Sequence, residues 1–519
     1  MRYGTSNEIV NPLYSQKEYF ENLTDARIAY RDFLLGFRIL HDAPPEAGVG
    51  FSGIRKWYVE FTKDDLVVRP GDSYSLYGRG LALNLFERRT LAFDTGLFGV
   101  KGSYQTRILR ASATGGTVMY HDVNAPTRVE EYDIRAASFE LVPYRFFSLA
   151  VDFVSGSVGL PTTPGQFTGR FDMPEYVLKG HAGDFDAFVS YAEKRTEVFP
   201  TFIQPKGDLH KGTGFYGSLG YTQDALGVTF EYKDYRFGIV DPILRTNPDR
   251  LTKALAIQNP PIVHKEHSFT LASRYPHVID FGDEVGFQVD VFYTVGQLTG
   301  NLNFAAASRH YAYYPTGDTD RTTMQPTFLS ESRSNSFLPS LAAKLSPFVE
   351  GYADFQYYFQ PGGTDYAELA LNRRQEKTPL ELRAASEPLI VQVRDIFGVP
   401  IAVQYTLIEG LAAKLIIERQ WVRDDSNIES TKFYNQFFSL GISQSPGLAL
   451  TVRYEVTSDK ETTDGRKDWT AADFGFWIGT NHNLTLTFGG DRGGLVCANG
   501  ICRTVPPFFG FRASLTSYL

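Results

Sequence analysis

The sequence is poor in sulfur and contains no long apolar run. Among its 519 residues there are only 2 Cys and 4 Met. Charged or polar residues interrupt every hydrophobic stretch well before the about 20 residues that a membrane-spanning helix needs, so a helical membrane protein is excluded. There is no excess of positive charge either, because the net charge is -8 and the isoelectric point is about 5.7. A basic surface for nucleic acid is therefore not expected.

Aromatic residues and glycine are abundant instead. The chain has 30 Tyr, 41 Phe and 47 Gly, with a mean hydropathy of -0.22. This composition is typical of a membrane β-barrel, which has aromatic girdles, tight turns and a polar interior. A large soluble β-protein can have the same composition, so the order of the residues has to distinguish the two.

Apolar and polar residues alternate with period two in many segments, which predicts strands with one apolar and one polar face. In residues 447–458 the larger apolar side chains stand at every second position. They are Leu448, Leu450, Val452, Tyr454 and Val456. The same alternation is found in residues 147–153, 226–235, 285–293 and 509–516.

Segment length and turn spacing separate a membrane barrel from a soluble sandwich. Sandwich strands are usually about five or six residues long, whereas these segments run for roughly ten to fourteen, the length that a tilted strand needs to cross a bilayer. Very short turns alternate with longer polar loops, as in membrane barrels. Short turns are predicted at 63–65, 142–144, 182–184, 222–224, 346–347, 409–410, 445–447 and 480–482. Long loops are predicted near 157–172, 196–212, 239–261, 299–333, 361–397, 424–430 and 459–467.

The sequence therefore predicts an all-β fold, a transmembrane antiparallel up-and-down β-barrel with short periplasmic turns and long extracellular loops. Tracing the turns gives roughly twenty strands, within a range of about 18–22. Residues 1–25 are polar and irregular, and are predicted to form a periplasmic arm or a lumen insert, with residues 26–519 as a single barrel. A loop helix is predicted from Thr364, a fair N-cap, through Asn372. No signal peptide is visible after Met1, so an exported chain would be numbered from at or near its mature end.

The two cysteines flank a hairpin signal. They lie in the segment Cys497-Ala498-Asn499-Gly500-Ile501-Cys502, and Asn-Gly is the strongest two-residue hairpin turn. With that turn, Cys497 lies opposite Cys502 at a non-hydrogen-bonded position, where antiparallel strands approach most closely. This favours a disulfide, which implies an oxidising compartment. A metal site is the alternative, although it would want two more Cys or His nearby.

Charged residues on the polar faces are candidates for the lumen or its constriction. Arg79 lies in Gly78-Arg79-Gly80, which precedes a strand-like segment and is therefore not a nucleotide loop. Arg79 is therefore a candidate selectivity residue, or a residue that fixes the position of a loop folded into the lumen. The other candidates carry both signs, which favours a hydrated, salt-bridged interior over strong ion selectivity. They are Glu231, Lys233, Arg453, Glu455 and Arg512, followed by Asp290, Glu350, Asp354, Lys414 and Glu418. The spacing of Arg453 and Glu455 indicates cross-bracing of the wall.

No motif recommends an enzyme. His264 and His267 resemble a metal motif, but residues three apart in a strand face opposite sides, so one metal ion could not bind both. Neither Gly-x-Ser-x-Gly nor His-Glu-x-x-His is present. We expect no enzymatic activity, no metal and no cofactor. A Cys-x-x-Cys-His haem site is also missing, so any haem would come from a partner.

Three segments carry a resemblance to a known family. They are Gly71-Asp72-Ser73-Tyr74 with Tyr77-Gly78-Arg79-Gly80-Leu81-Ala82-Leu83, then 94–101, then 492–508 around the two cysteines. The chain resembles an uncharacterised porin-like outer-membrane family, catalogued as a domain of unknown function. The resemblance implies an outer-membrane barrel and no established activity. The usual C-terminal aromatic is replaced by Leu519, with Tyr518 just before it.

The sequence thus favours an integral protein of the cell outer membrane that acts as a porin-like channel for passive or gated passage of small solutes. The alternative is a plugged scaffold barrel that anchors lipoproteins or other subunits of an envelope complex. The expected partners are the lipid bilayer and lipopolysaccharide, with those subunits added under the alternative, and no nucleic acid. Long loops or the N-terminal residues are the candidates for filling the lumen.

Overall fold

The computed structural model describes most of the chain. The described residues are 1–10, 13–46, 49–125, 127–162, 165–198, 208–247, 253–319, 325–333, 335–381, 390–429, 431–462 and 465–518. Parts of the predicted long loops, such as 199–207, 248–252, 320–324 and 382–389, lie outside the described residues.

The structure consists almost entirely of antiparallel strands. The first half of the chain contains β1 (Arg2–Val10), β2 (Leu13–Tyr30), β3 (Phe33–Asp42), β4 (Phe51–Lys63), β5 (Leu66–Ser73), β6 (Glu87–Arg88), β7 (Phe93–Asp94), β8 (Leu97–Gln105), β9 (Leu109–His121), β10 (Val129–Tyr144), β11 (Phe147–Thr162), β12 (Gly165–Ala182), β13 (Phe185–Val198), β14 (Asp208–Gln223) and β15 (Leu226–Arg236).

The second half continues the same pattern. It contains β16 (Glu284–Val295), β17 (Leu298–Ser308), β18 (Tyr311–Thr319), β19 (Pro326–Ser332), β20 (Phe348–Tyr358), β21 (Tyr366–Pro379), β22 (Val391–Ile408), β23 (Leu411–Asp424), β24 (Lys432–Gln444), β25 (Leu448–Thr457), β26 (Asp468–Ile478), β27 (His482–Asp491), β28 (Gly494–Ala498), β29 (Ile501–Val505) and β30 (Phe508–Ser517). One short helix, α1 (Pro242–Thr246), and two 3-10 turns, Arg89–Leu91 and Ala343–Leu345, complete the described elements.

Within the described residues, 24 of these strands form one closed sheet. Each barrel strand pairs antiparallel with its neighbours along the chain, and β1 closes the cylinder by pairing with β30 from Arg2↔Ser514 to Ser6↔Gly510. The remaining six strands form three separate hairpins: β6 with β7, β18 with β19, and β28 with β29. The predicted up-and-down barrel is therefore confirmed, with 24 strands where about 18–22 were expected.

The first residues of the chain belong to the barrel wall. Residues 1–25 were expected to form a periplasmic arm or a lumen insert, but they instead form β1 and most of β2. β1 pairs with β2 from Arg2↔Glu21 to Val10↔Leu13. Polar residues are acceptable there because one face of every strand looks into the lumen rather than into lipid.

Two further local expectations are corrected. Thr364 to Asn372 does not form a helix, because β21 begins at Tyr366 and pairs with β20 and β22 along its length. The predicted short turn at Ser346–Pro347 lies at the end of the long connection 309–347, which carries β18 and β19. The other predicted short turns join neighbouring strands at the opposite end of the barrel, within one or two residues of the expected positions.

The outward face of the barrel is apolar. On β11, Leu149, Val151 and Phe153 are 47%, 51% and 47% exposed, whereas Asp152 and Val154 between and beside them are buried. Exposed aromatic side chains gather at the short-turn end of the wall. They include Tyr30, Phe33, Tyr144, Phe146, Phe185, Tyr293, Tyr357 and Tyr405. A closed sheet with an apolar exterior and an aromatic girdle is a membrane-spanning barrel. The protein is thus an integral outer-membrane protein in contact with the lipid bilayer.

No helix among the described residues is long and apolar enough to cross a membrane.

Candidate functional site

Three connections fold into the barrel and fill much of its lumen. They are residues 74–96 between β5 and β8, residues 253–283 before β16, and residues 492–507 between β27 and β30. We call these three segments the lumen plug. Their partners are side chains on inward-facing positions of the wall, described below, so the plug lies inside the cylinder. A barrel of this size would otherwise enclose a wide channel.

Wall carboxylates accept hydrogen bonds from the plug backbone. Glu175 on β12 accepts the N–H of Ala82 at 3.1 Å. Glu418 on β23 accepts the N–H groups of Thr270 at 2.9 Å and of Leu271 at 2.7 Å. Buried N–H groups of an irregular segment need acceptors outside that segment. These two inward carboxylates provide them and fix the position of the plug.

One sector of the lumen surface is apolar, although polar rows were expected to line the whole interior. Inward side chains of β10 and β11, including Tyr132, Ile134 and Val154, are buried against Leu83 and Ile257 of the plug. The alternation of the sequence holds there because the plug, rather than water, covers this face. The apolar contact holds the plug to one side of the barrel.

A hydrogen bond connects the plug to β15, and ion pairs connect it to β16 and β21. Lys233 on β15 binds Glu284 at 2.5 Å and donates to the carbonyl of Ile262 at 2.6 Å. The plug residue His277 contacts Glu376 at 2.8 Å and Glu284 at 3.4 Å. Burial alone would lower the pKa of His277, but the two carboxylates outweigh it and raise the pKa to about 9. The imidazole is therefore a buried cation at neutral pH.

Two more wall carboxylates bind side chains of the plug. Glu455 on β25 pairs with Arg274 and, at 3.2 Å, with Arg492, which come from two different plug segments. Glu350 on β20 accepts from His267 at 2.8 Å and from Arg374 of the adjacent strand at 2.7 Å. Breaking such a buried pair leaves an uncompensated charge. Among the described residues, no group of three or more His, Cys, Asp or Glu side chains is arranged to hold a metal ion.

The plug leaves a cavity of about 790 Å³ against strands β1–β4. Its charged lining has both signs and comes from both sides. The wall and its connections contribute Arg2, Lys17, Glu21, Arg38, Asp42, Glu46, Arg55, Asp122 and Arg512, and the plug contributes Glu87, Arg89, Asp94 and Arg503. Ion pairs cross from wall to plug, with Arg89 to Glu21 at 2.7 Å and Arg38 to Glu87 at 2.7 Å. This cavity is the candidate functional site, because it lies between the plug and the wall and has a charged lining that suits a polar solute.

Of the first three lumen candidates, Arg79 belongs to the plug, Lys233 contacts it and Glu231 does neither. Arg79 is itself a plug residue, and its guanidinium lies 4.9 Å from the ring of Phe188 on the wall. Lys233 anchors the plug as described. Glu231 faces the same way along β15 but stays within the wall, where it accepts from Gln288 at 3.0 Å and from the hydroxyl of Tyr216. Arg79 and Lys233 thus occupy pinning positions, away from the cavity.

The other three lie near the seam of the barrel. Arg453 and Glu455 do not pair with each other as the spacing indicated. Arg453 binds Asp473 at 2.9 Å and Asp491 at 3.1 Å, and Arg512 shares Asp491 at 3.2 Å. These contacts form a charge ladder across β25, β26, β27 and β30, while Glu455 is turned to the plug. Arg512 alone of the six predicted residues lines the cavity.

The two cysteines form the predicted disulfide within the plug. Cys497 on β28 lies opposite Cys502 on β29, with the turn at Asn499 and Gly500, and the two sulfur atoms are bonded. The side-chain amide of Asn259 donates to the carbonyl of Asn499 at 2.9 Å. The hairpin is therefore connected to the 253–283 segment.

Sequence reasoning missed the residues that hold the plug. Glu175 and His277 were not singled out, and Glu418 was named only as an inward charge. For Glu175 and Glu418 the signal was present, since each is a carboxylate at an inward position of an alternating strand. For His277 there was none, because its position depends on the path of a 47-residue connection, 237–283, that lacks any periodic pattern.

The chain is similar, at low sequence identity, to several solved structures. The chain is similar to the siderophore receptor PirA from Pseudomonas aeruginosa, with 10% identity over 100% of this chain and 80% of that one and a TM-score of 0.47. It is also similar to the translocation pore of the P pilus usher PapC, with 6% identity over 100% and 98% of the two chains and a TM-score of 0.42. The copper transporter OprC gives 10% identity, 100% and 80% coverage and a TM-score of 0.39.

The sequence also matches a family model. The model is described as a family of unknown function, DUF6029, and it matches residues 27–313 and 399–519, which is well over half of the chain. No protein with a curated description matches.

Proposed function

The chain belongs to the DUF6029 family of unknown function, and we propose that it is a plugged outer-membrane channel that passes small polar solutes when its plug moves. The single observation that carries this proposal is the charged cavity of about 790 Å³ between the plug and strands β1–β4. A barrel that only anchored other subunits in the membrane would not need a charge-lined cavity in its lumen.

The way in which the plug is held supports gating. Its contacts with β20–β25 include separate polar ones, such as those of Glu418 with Thr270 and Leu271 and that of Glu455 with Arg274, beside a small apolar cluster around Phe269. Polar contacts of this kind can be exchanged for water when the segment shifts, whereas the apolar contact with β10–β12 keeps the plug inside the barrel. We infer that residues 267–277, which contact β20–β25, move while residues 253–263 and the 74–96 segment stay.

The lining of the cavity suggests weak charge selectivity. Strong selectivity for one sign requires one sign to dominate the narrowest part of a pore. Here Arg38 and Arg89 alternate with Glu21 and Glu87 across the cavity. The expected solutes are therefore small, polar and either neutral or zwitterionic.

Conductance in planar bilayers tests the proposal. The double variant Glu418→Ala with Glu455→Ala removes two of the carboxylates that hold the 253–283 segment, and we expect it to raise the mean single-channel conductance several-fold over the parent protein. The control is Glu331→Ala, which removes an ion pair with Lys344 at 2.8 Å in the extracellular connection and contacts no plug residue in the described structure. Heat-modifiable migration on gels shows whether each variant has folded.

The alternative is a scaffold barrel whose plug never moves. The observation that favours it is that each of the three plug segments is bound to the wall, directly or through another segment. It predicts that the parent and the folded double variant are both electrically silent and that other envelope subunits co-purify with the protein. A silent, folded double variant would therefore overturn the channel and leave the scaffold.

A further inference from the structure

A short stretch of the extracellular connection 309–347 lies outside the barrel wall. The hydroxyl of Tyr232 on β15 donates to the carbonyl of Phe337 at 2.7 Å, and the N–H of Ser340 donates to the hydroxyl of Ser308 on β17 at 2.9 Å. Tyr232 shares its strand face with the exposed Phe230, whereas Lys233 between them is fully buried in the lumen. Both contacts are thus made to the lipid-facing side of the wall. We call residues 336–342 the outer shelf.

The geometry of the strands agrees with this placement. β15 and β17 are separated by β16, so they lie about 9.5 Å apart. Three residues of extended chain, from Phe337 to Ser340, span about 10 Å. Val285 of β16 pairs in register with Asp234 and Ser308, and so faces outward, yet it is 0% exposed. The two shelf contacts, at Tyr232 and Ser308, lie on either side of it.

The free side of the shelf is strongly apolar. Phe337, Leu338 and Leu341 are 71%, 56% and 68% exposed. Exposure of three large apolar side chains to water would be unfavourable. Because the shelf continues the lipid-facing surface of β15–β17, the environment that suits them is the hydrocarbon of the outer leaflet.

An apolar groove runs down the lipid-facing wall below the shelf. It has a volume of about 350 Å³ and is lined by Val289, Leu302, Phe304 and Leu371, among others. It exists because β20 has small residues, Gly351 and Ala353, opposite Phe304 and Leu302 on this face, and a Cβ added at Gly351 would meet nothing within 4 Å. Phe304 is four residues from Ser308 along β17, which places it about 13 Å below the shelf.

A basic residue, Arg333, lies on the extracellular side of the groove, beside the end of β17. Arg333 donates to the hydroxyl of Ser308 at 3.3 Å and to the carbonyl of Ser336 at 3.5 Å. In the part of the chain that the structure describes, its guanidinium makes no ion pair with a carboxylate. A guanidinium at this height matches the level of lipid phosphates, and Arg binds phosphate well.

We propose that the outer shelf and this groove form a binding site for lipopolysaccharide, the lipid of the outer leaflet. One acyl chain lies in the groove against Phe304 and Gly351, the shelf residues Leu338 and Leu341 pack on the neighbouring chains, and Arg333 contacts a phosphate of the head group. The groove lies near mid-height of the wall, at the depth that the end of an outer-leaflet acyl chain reaches.

Native mass spectrometry of the full chain tests the site. The protein is reconstituted with rough lipopolysaccharide or with phosphatidylglycerol, released into mild detergent, and its retained lipid is counted. We expect the parent protein to retain one lipopolysaccharide molecule. Gly351→Leu fills the groove, Leu341→Asp places a charge on the shelf, and each should lower the occupancy about tenfold, a loss of about 1.4 kcal/mol.

The matched control is Gly180→Leu. Gly180 is also an outward strand glycine whose added Cβ would meet nothing within 4 Å, but it lies on β12, away from the groove. Its occupancy should equal that of the parent. Equal retention by the parent and Gly351→Leu, an equal loss in Gly180→Leu, or equal retention of phosphatidylglycerol would each overturn the proposal. Heat-modifiable migration again verifies that the variants are folded.

Discussion

At the scale of single residues, His277 connects the plug to two wall strands through its charge. It touches Glu376 and Glu284, stacks on Phe348 with 4.1 Å between ring centres, and lies 5.5 Å from His264. Lys233 is the other cation at Glu284. Burial, followed by the charge of His277, lowers the pKa of His264 well below its usual value. One imidazole of the pair is therefore charged and the other neutral.

The raised pKa of His277 makes this contact dependent on pH. The folded pKa is about 9, whereas the unfolded value is about 6.5. Because the pKa is raised in the folded protein, the charge of His277 stabilises the contact fully below about pH 6.5. This stabilisation is lost as the pH rises to about 9. We expect the 253–283 segment to be bound up to about 3 kcal/mol more strongly at pH 6 than at pH 10. A nitroxide label on Val278→Cys should become more mobile over this range.

The control for this prediction is the same label in a His277→Gln background. Glutamine keeps a hydrogen-bonding side chain but has no charge to lose, so the mobility of the label should hardly change between pH 6 and pH 10. An unchanged mobility in the labelled parent protein would show that the contact does not depend on the charge of His277.

The direction of a side chain could be predicted from the sequence, but its partner could not. Alternation placed Glu455, Lys233 and Arg512 on the inward face, and the structure agrees. The binding partner of Glu455, however, is Arg274, which is 181 residues away. No local pattern encodes such a contact, because the path of the plug is set by long-range packing.

At the scale of elements, the segment 366–379 shows why local propensity was misleading. Ala367, Glu368, Leu369 and Ala370 all favour a helix when taken alone. In the structure, Leu369 and Leu371 are exposed to lipid while Ala370 and Asn372 are buried on the lumen side. Pairing with β20 and β22 on both sides overrides a weak helical preference, since strand stability depends on neighbours.

The disulfide hairpin was predicted correctly as an element, and its contribution can be measured. In a double Cys497→Ser, Cys502→Ser variant, loss of the cross-link should destabilise β28–β29 by about 2 kcal/mol, because the small loop then gains conformational freedom when it opens. Hydrogen exchange of amides in 494–505 should become about 30-fold faster. The amides of β25 serve as the internal control and should not change. Reduction of the parent protein should reproduce the effect, and equal exchange with and without the disulfide would contradict it.

At the scale of the whole molecule, the class of fold could be predicted and the strand count could not. Period two, strand length and the two kinds of connection are local properties, and they sufficed for a membrane barrel. The count failed at the N-terminus, because the polar residues of β1 and β2 lack the apolar rows seen elsewhere. Their membership of the wall is decided by pairing with β30 at the other end of the chain.

Closure of the barrel therefore depends on β1. Removing residues 2–10 would leave β2 and β30 as neighbours, and these two strands run in the same direction because each pairs antiparallel with β1. An odd number of strands would force one parallel pair into an otherwise antiparallel wall. Without that pair, the edges of two strands would expose unpaired N–H and C=O groups to lipid. Each unpaired group would destabilise the barrel by several kcal/mol. We expect the truncated chain to lose heat-modifiable migration and to fail to insert into liposomes.

Deletion of a hairpin that lies outside the barrel wall is the control for this truncation. Residues 311–332 contain the hairpin β18–β19, which does not belong to the barrel sheet, and Tyr311 lies opposite Ser332, so its removal leaves chain ends that can be joined. This variant should fold and insert as the parent does. If the chain without residues 2–10 also migrated as a folded, heat-modifiable barrel, pairing of β1 with β30 would not be what closes the cylinder. The set of strands that encloses the lumen and the plug would then be a different one.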